Sequence, residues 1–316
     1  MLLLVNAITV EAEDVRSFEL IDPEGVDLLP FTAGSHVDVT PSGGPVRQYS
    51  LCNDPSERHR YLLGVLREAV GRGGSQLMHE RVQVGDLLQV SAPRNNFALD
   101  ESAQKHLLIA GGIGVTPLLA MAYRLHAMGA DFAIHYCTRN PGRTAFRSEL
   151  ARFDDGGRVR FHHDGGDPAK GLNVTALLAE IVLGTHVYCC GPAGLMAAAK
   201  AASGHWPAKQ IHFEYFTPPQ TSPMEAAESY EAFEVEVAST HAVYPIPAGQ
   251  SILSVLTTAG MALDSSCEAG ICGTCRTRYL AGEPDHRDYV LTDDERREYI
   301  MICVSRSARG RLVLDL

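Results

Sequence analysis

Cys267-Glu268-Ala269-Gly270-Ile271-Cys272-Gly273-Thr274-Cys275 places three thiols on one short loop, and a fourth, Cys303, follows after a further twenty-seven residues. Four residues between the first two cysteines and two between the next is the ligand spacing of a plant-type two-iron cluster. Each iron of such a cluster takes two protein sulfurs besides its bridging sulfides. Gly270 and Gly273 let the backbone wrap the group closely and aim N–H groups at its sulfurs. A lone Cys-x-x-Cys, here Cys272 and Cys275, also occurs in half of a zinc site or in a thioredoxin-like dithiol. No second closely spaced Cys or His pair lies nearby, and the dithiol does not open a helix after a strand. Cys267, Cys272, Cys275 and Cys303 are therefore read as the ligands of a [2Fe-2S] cluster.

A cluster domain uses less than a third of the 316 residues, and a chain of this length implies two to three domains. Apolar content of 45% with 21% charged residues is ordinary for a water-soluble globular protein. No run approaches the length of a membrane span, and Met1-Leu2-Leu3-Leu4-Val5 lacks the basic leader of a signal peptide, so it reads as a first strand. Eight cysteines include the adjacent pair Cys189-Cys190, which argues against a disulfide framework and for the reducing cytoplasm. A net charge of -11 opposes binding to nucleic acid. From Pro223 onward fifteen acidic residues face eight basic ones, which serves solubility or offers a docking face to a basic redox partner.

Upstream, residues 1–102 alternate short apolar stretches with turn residues. Expected strands are Leu2 to Glu11, Val15 to Asp22, His36 to Thr40, Tyr61 to Leu66 and Leu87 to Ser91, the pattern of a small antiparallel barrel. Arg47-Gln48-Tyr49-Ser50 would put Arg47 and Tyr49 on one face of a strand, a cation for a phosphate and a ring for a flavin. Gly71-Arg72-Gly73-Gly74-Ser75 runs into an expected helix, the arrangement of an anion site.

Residues 103–217 change rhythm. An apolar strand, Lys105 to Ala110, meets Gly111-Gly112-Ile113-Gly114-Val115-Thr116-Pro117, where glycines let a backbone approach a pyrophosphate before a helix. Strands at Phe132 to Tyr136, Val159 to His163, His186 to Cys190 and His212 to Phe216 alternate with helical stretches at Val174 to Val182 and Leu195 to Ser203, predicting a covered parallel sheet. Ligands of such a sheet gather at the carboxyl ends of its strands. Gly111, Gly112, Gly114, Thr116 and Pro117 lie there, as do Thr138, Arg139, Cys190, Gly191 and Pro192. His162 and His163 are read as structural.

A polar, proline-rich stretch, 218–228, reads as a semi-rigid tether. Residues 229–316 then give a hairpin at Phe233 to Ala238 and Val243 to Ile246, a helix opened by Ser251, and the cysteine loop, a compact α+β domain.

Taken in order, these parts resemble the phthalate dioxygenase reductase family along essentially the whole chain. The matches are Arg47-x-Tyr49-Ser50-Leu51-Cys52-Asn53-Asp54, Gly71 to Ser75, Gly111 to Pro117, Tyr188 to Pro192, the cluster loop, Asp285-His286-Arg287-Asp288 and Ile302-Cys303-Val304-Ser305-Arg306. The resemblance implies an antiparallel β-barrel flavin domain, an α/β nicotinamide domain and a C-terminal plant-type ferredoxin domain. It also implies FMN held by Arg47, Gly74 and Ser75 at its phosphate and by Tyr49 and Ser50 at its ring, with Arg67 nearby and Phe216 covering the flavin. NADH is the implied donor. Arg139, Arg143 and Arg147 leave NADPH as the alternative.

The chemistry follows from electron counting. NADH delivers a hydride, a cluster accepts one electron, and a flavin can mediate between them. Ser50, Thr116 and Cys190 would orient the reacting rings. The resemblance implies a Rieske-type oxygenase partner acting on an aromatic or similar small substrate, with the reductase itself monomeric. The rival readings are a redox-sensing regulatory protein and a stand-alone flavin or ferric reductase.

Overall fold

The computed structural model describes residues 1–69, 73–218 and 231–316. Its internal contacts divide the chain into two compact units, Met1–Glu214 and Tyr215–Leu316. The expected tether lies almost entirely outside the described residues, as do Gly71 and Arg72 of the expected anion loop.

The first unit begins with six antiparallel strands: β1 (Leu2–Ala12), β2 (Val15–Ile21), β3 (His36–Thr40), β4 (Arg47–Ser50), β5 (Tyr61–Leu66) and β6 (Leu87–Val90). Their order is β4-β3-β6-β1-β2-β5, and a bridge between Leu51 and Leu63 joins the two ends. Alternation along the strands sends Leu3, Val5, Phe18, Leu20, Val37, Val39, Leu63 and Val65 into one core. Helix α1 (Gly74–Glu80) plugs that core with Met78.

Five parallel strands follow: β7 (Lys105–Gly111), β8 (Asp131–Thr138), β9 (Val159–His163), β10 (Thr185–Cys190) and β11 (Ile211–Glu214), ordered β11-β10-β7-β8-β9. β7 is buried from His106 to Gly111, as befits a central strand of a covered sheet. It feeds α2 (Val115–Ala127), opened by Pro117 in its first turn, where a missing N–H costs nothing. The short helices α3 (Arg147–Ala151) and α4 (Val174–Leu177) lie in later crossovers, and α5 (Ala193–Ala202) follows β10. The helix expected to reach Val182 ends at Leu177. The carbonyl of the next residue, Leu178, accepts the indole N–H of Trp206 at 2.9 Å, while Ile181, Val182 and Leu183 are exposed. The last strand ends at Glu214, two residues short of Phe216.

Barrel and parallel sheet share a core. Val15, Ala33, Cys52 and Phe97 from the barrel side pack in one cluster with Val115, Leu118, Tyr136, Phe146 and Tyr188. At this seam a Cβ on Gly64 of β5 would meet Thr116 Cγ2 at 2.6 Å and the Phe146 ring at 3.0 Å. Only glycine admits that approach.

The second unit is a mixed sheet of β12 (Phe233–Val237), β13 (Ala242–Ile246), β14 (Arg276–Asp285), β15 (Tyr299–Met301) and β16 (Arg306–Leu314), ordered β13-β12-β16-β14-β15. Helix α6 (Ile252–Thr258) is capped by Ser251, whose hydroxyl accepts the Ser254 N–H at 3.1 Å. It lays Ile252, Leu253 and Leu256 against Val235, Ile300, Leu312 and Leu314. The cysteine loop runs between α6 and β14.

Candidate functional site

Four thiols converge in the second unit, each less than a tenth exposed. They come together as two hydrogen-bonded pairs, Cys267 with Cys272 and Cys275 with Cys303. The hydrogen bond from Cys267 draws the Cys272 thiol down to about 5 against its burial, helped by Thr274. The Cys267 and Cys303 thiols are pushed up by that pairing and by burial. Glu268, Gly270 and Gly273 all take positive φ, so the loop curls around the sulfurs. The Ala269 N–H lies 3.3 Å from Cys267 Sγ, and the Gly270 N–H is directed to Cys303. A Cβ at Gly270 would stand 2.7 Å from Val304 Cγ2. Two buried cysteine pairs under inward-facing N–H groups suit a two-iron cluster in chemistry and in number.

On the barrel, the side chain of Arg47 lies across the start of α1. A Cβ on Gly74 would fall 2.5 Å from Arg47 Cγ and 2.7 Å from its Nε, so only glycine leaves the guanidinium this path. Ser75 Oγ accepts the N–H of Glu68 at 3.1 Å, closing the loop back on β5. Tyr49 shares the face of Arg47, and burial pushes its phenol up to about 12, so it stays a hydrogen-bond donor. Ser50 is buried on the opposite face. Arg47, Tyr49, Gly74 and Ser75 therefore gather at one place, a cradle fit for a flavin phosphate. Arg67 is engaged elsewhere, with its guanidinium on Asp14 at 2.8 Å.

The order of the parallel sheet reverses between β7 and β10, where α/β sheets open a crevice at their carboxyl ends. A cleft of about 870 Å³ runs from there to β9, lined in part by Gly111, Gly112, Thr138, Arg139, Asp164 and Pro192. Gly114, Thr116, Pro117, Cys190 and Gly191 are not among its lining. Two of them meet directly: a Cβ on Gly114 would strike the Cys190 carbonyl oxygen at 2.2 Å. The Thr116 hydroxyl donates to Ile113 O at 2.9 Å and the residue is buried. Cys190 is fully buried, which pushes its thiol up, with the charge of Glu214 acting the same way. Phe216 falls in the second unit and is exposed.

Two residues that the sequence reading passed over stand out. Glu214 ends β11 in register with Cys190; burial pushes its carboxyl up to about 8, and Oε2 has no hydrogen-bond partner among the described residues. Asp164 follows β9 on the cleft wall, with Oδ1 fixed by the Gly166 N–H at 2.7 Å. Of the arginines that could meet a 2'-phosphate, Arg143 pairs with Glu13 and Asp14, and Arg147 lies over the Phe161 ring. Arg139 and Arg143 both line the cleft. Neither acid carried a sequence signal: Asp164 follows β9, well beyond the spacing at which a ribose-binding acid follows a glycine turn, and Glu214 lies inside an aromatic strand sequence.

Comparison with known proteins agrees with this geometry. Residues 235–308 match the family model described as a 2Fe-2S iron-sulfur cluster binding domain, and residues 89–210 match that of the dimethylamine monooxygenase subunit DmmA-like N-terminal domain. The chain is 47% identical to the tert-butanol monooxygenase / tert-amyl alcohol desaturase reductase subunit of Aquincola tertiaricarbonis, over 99% of this chain and 95% of that one. It is 45% identical to phthalate dioxygenase reductase of Burkholderia cepacia, over 96% and 94%. A solved phthalate dioxygenase reductase, described as a modular structure for electron transfer from pyridine nucleotides to [2Fe-2S], superposes with a TM-score of 0.73 at 44% identity, covering 100% of this chain and 98% of that one. With identities of 44–47% that span nearly the whole of both chains, this chain belongs to the phthalate dioxygenase reductase family.

Proposed function

We propose that this chain is the NADH-dependent reductase component of an oxygenase system, carrying electrons through FMN and a [2Fe-2S] cluster to a Rieske-type partner. The observation that carries the reading is the pair of buried cysteine pairs downstream of a phosphate cradle and a dinucleotide cleft in one chain. Held there, FMN and the cluster would supply the conversion of a two-electron hydride into single electrons.

Each group then has a task. Arg47, Gly74 and Ser75 hold the flavin phosphate, Tyr49 and Ser50 its ring, and Arg67 braces the neighbouring turn through Asp14. Gly111 and Gly112 admit the dinucleotide pyrophosphate, with Gly114, Thr116, Pro117, Gly191 and Pro192 shaping the wall beneath it. Cys190 closes the floor beside the nicotinamide. Thr138, Arg139 and Asp164 meet the adenosine end, where a carboxylate accepts from a ribose diol and repels a 2'-phosphate. Cys267, Cys272, Cys275 and Cys303 bind the cluster. The flavin and nicotinamide parts divide near residue 102, and 218–228 tethers the cluster domain. The chain acts as a monomer in the reducing cytoplasm, which its eight cysteines, all thiols, suit.

The partner oxygenase acts on an aromatic or similar small molecule; relatives are named for phthalate and tert-butanol. The test is an absorption spectrum of the purified protein with its released flavin identified, followed by titration with NADH and then a Rieske oxygenase. FMN, cluster absorption and NADH-driven reduction of the oxygenase are expected. Absence of either chromophore, or a cluster that stays oxidised under NADH, refutes the reading.

A further inference from the structure

The Asp285-His286-Arg287-Asp288 segment matches the family yet binds none of the groups above. Asp288 has a side chain with no solvent exposure. Its Oδ1 accepts the N–H of Val290 at 3.1 Å and of Leu291 at 2.7 Å, and its carbonyl accepts Arg296 Nη2 at 3.0 Å. This tight turn aims the next N–H, that of Tyr289, at the Gly270 carbonyl, 2.9 Å away. Gly270 is also the residue whose N–H serves Cys303, and a Cβ there would stand 3.2 Å from Asp288 Cα. One peptide thus links the cluster loop to a buried carboxylate. Beside that carboxylate lie two cationic or titratable side chains, Arg296 with Nη2 3.9 Å from Oδ1 and His286 with Nδ1 3.8 Å from Oδ2.

We propose that the buried carboxylate of Asp288 and the part-exposed guanidinium of Arg296 form a charge pair that fixes the Gly270 turn and sets the reduction potential of the cluster. A cluster gains negative charge on reduction, and its potential answers to nearby charge, hydrogen bonds to sulfur and exposure. In a low-dielectric interior, a carboxylate disfavours the added electron and a guanidinium favours it. The two therefore act with opposite sign on one equilibrium, which a purely structural role cannot do.

The inference rests on the proposed cluster. Its test is redox titration of the full-length holoprotein, following the reduced cluster by electron paramagnetic resonance, for the wild type, Asp288→Asn and Arg296→Gln. Asparagine keeps the Oδ1 acceptor and loses the charge, so its potential is expected to rise; that of Arg296→Gln is expected to fall. Flavin reduction by NADH stays unchanged in both. Shifts in the same direction, or none in variants with full cluster content, overturn the inference. If Asp288→Asn fails to retain its cluster, the fall in Arg296→Gln decides alone. A wild type without a cluster signal instead defeats the functional reading.

Discussion

Replacing Glu214 with glutamine removes a carboxyl that the fold holds neutral at a cost. Exposed, the group titrates at 4.5; in the folded chain the residue as a whole is part-buried but Oε2 is shut from water, which pushes the carboxyl up to about 8. Because the folded value lies above the unfolded one, the unfolded chain loses its proton first, and stability drains away as pH rises between the two. The slope is about 1.4 kcal/mol per pH unit, and the whole interval amounts to at most about 5 kcal/mol, less whatever local relaxation recovers. Glutamine keeps the shape and does not titrate. The variant's advantage over wild type is therefore expected to grow steadily from about pH 5 to pH 8 and then level off. The chain's single tryptophan, Trp206, is buried in the same unit, so urea unfolding followed by its fluorescence reports on this region. Parallel pH profiles for the two proteins would refute the reasoning.

Three further outcomes follow from the site. Cys272→Ser is expected to abolish cluster absorption and electron delivery to a protein acceptor while NADH still reduces the flavin; surviving delivery would place the exit route elsewhere. Gly114→Ala drives a methyl into the Cys190 carbonyl, 2.2 Å away, and costs about 3 kcal/mol by thermal or urea unfolding, with weaker NADH binding. Asp164→Ala removes the cleft carboxylate and should lower kcat/KM for NADH about tenfold, roughly 1.4 kcal/mol, while raising it for NADPH. An unchanged ratio of the two coenzymes would remove Asp164 from the adenosine site.

The barrel strands were legible because period-two alternation and turn residues mark them cleanly. His36–Thr40 and Tyr61–Leu66 stand where that pattern puts them. The parallel strands were equally plain from their apolar runs. The helix after Asn173 was overextended because apolar content continues through Ile181-Val182-Leu183, which the fold leaves exposed. The long strand Arg276–Asp285 went unread: charged and glycine-containing, it pairs through repeated register shifts opposite β16. The four cysteines announce themselves by spacing, whereas the pairing of Arg47 with Gly74 needs two distant segments to meet. Glu214 and Asp288 matter only through what buries them, and burial of a single acid has no signature in a one-dimensional string.

The close approach at Gly64 has a consequence for how such chains can be rearranged. A barrel strand that leans on Thr116 and Phe146 without an intervening side chain is committed to its neighbour. Cutting near residue 102 would strip apolar surface from both halves, so neither could be inherited or transplanted without redesign. For gene fusion, domain exchange or engineered chimeras, the first 214 residues therefore travel as a single cassette.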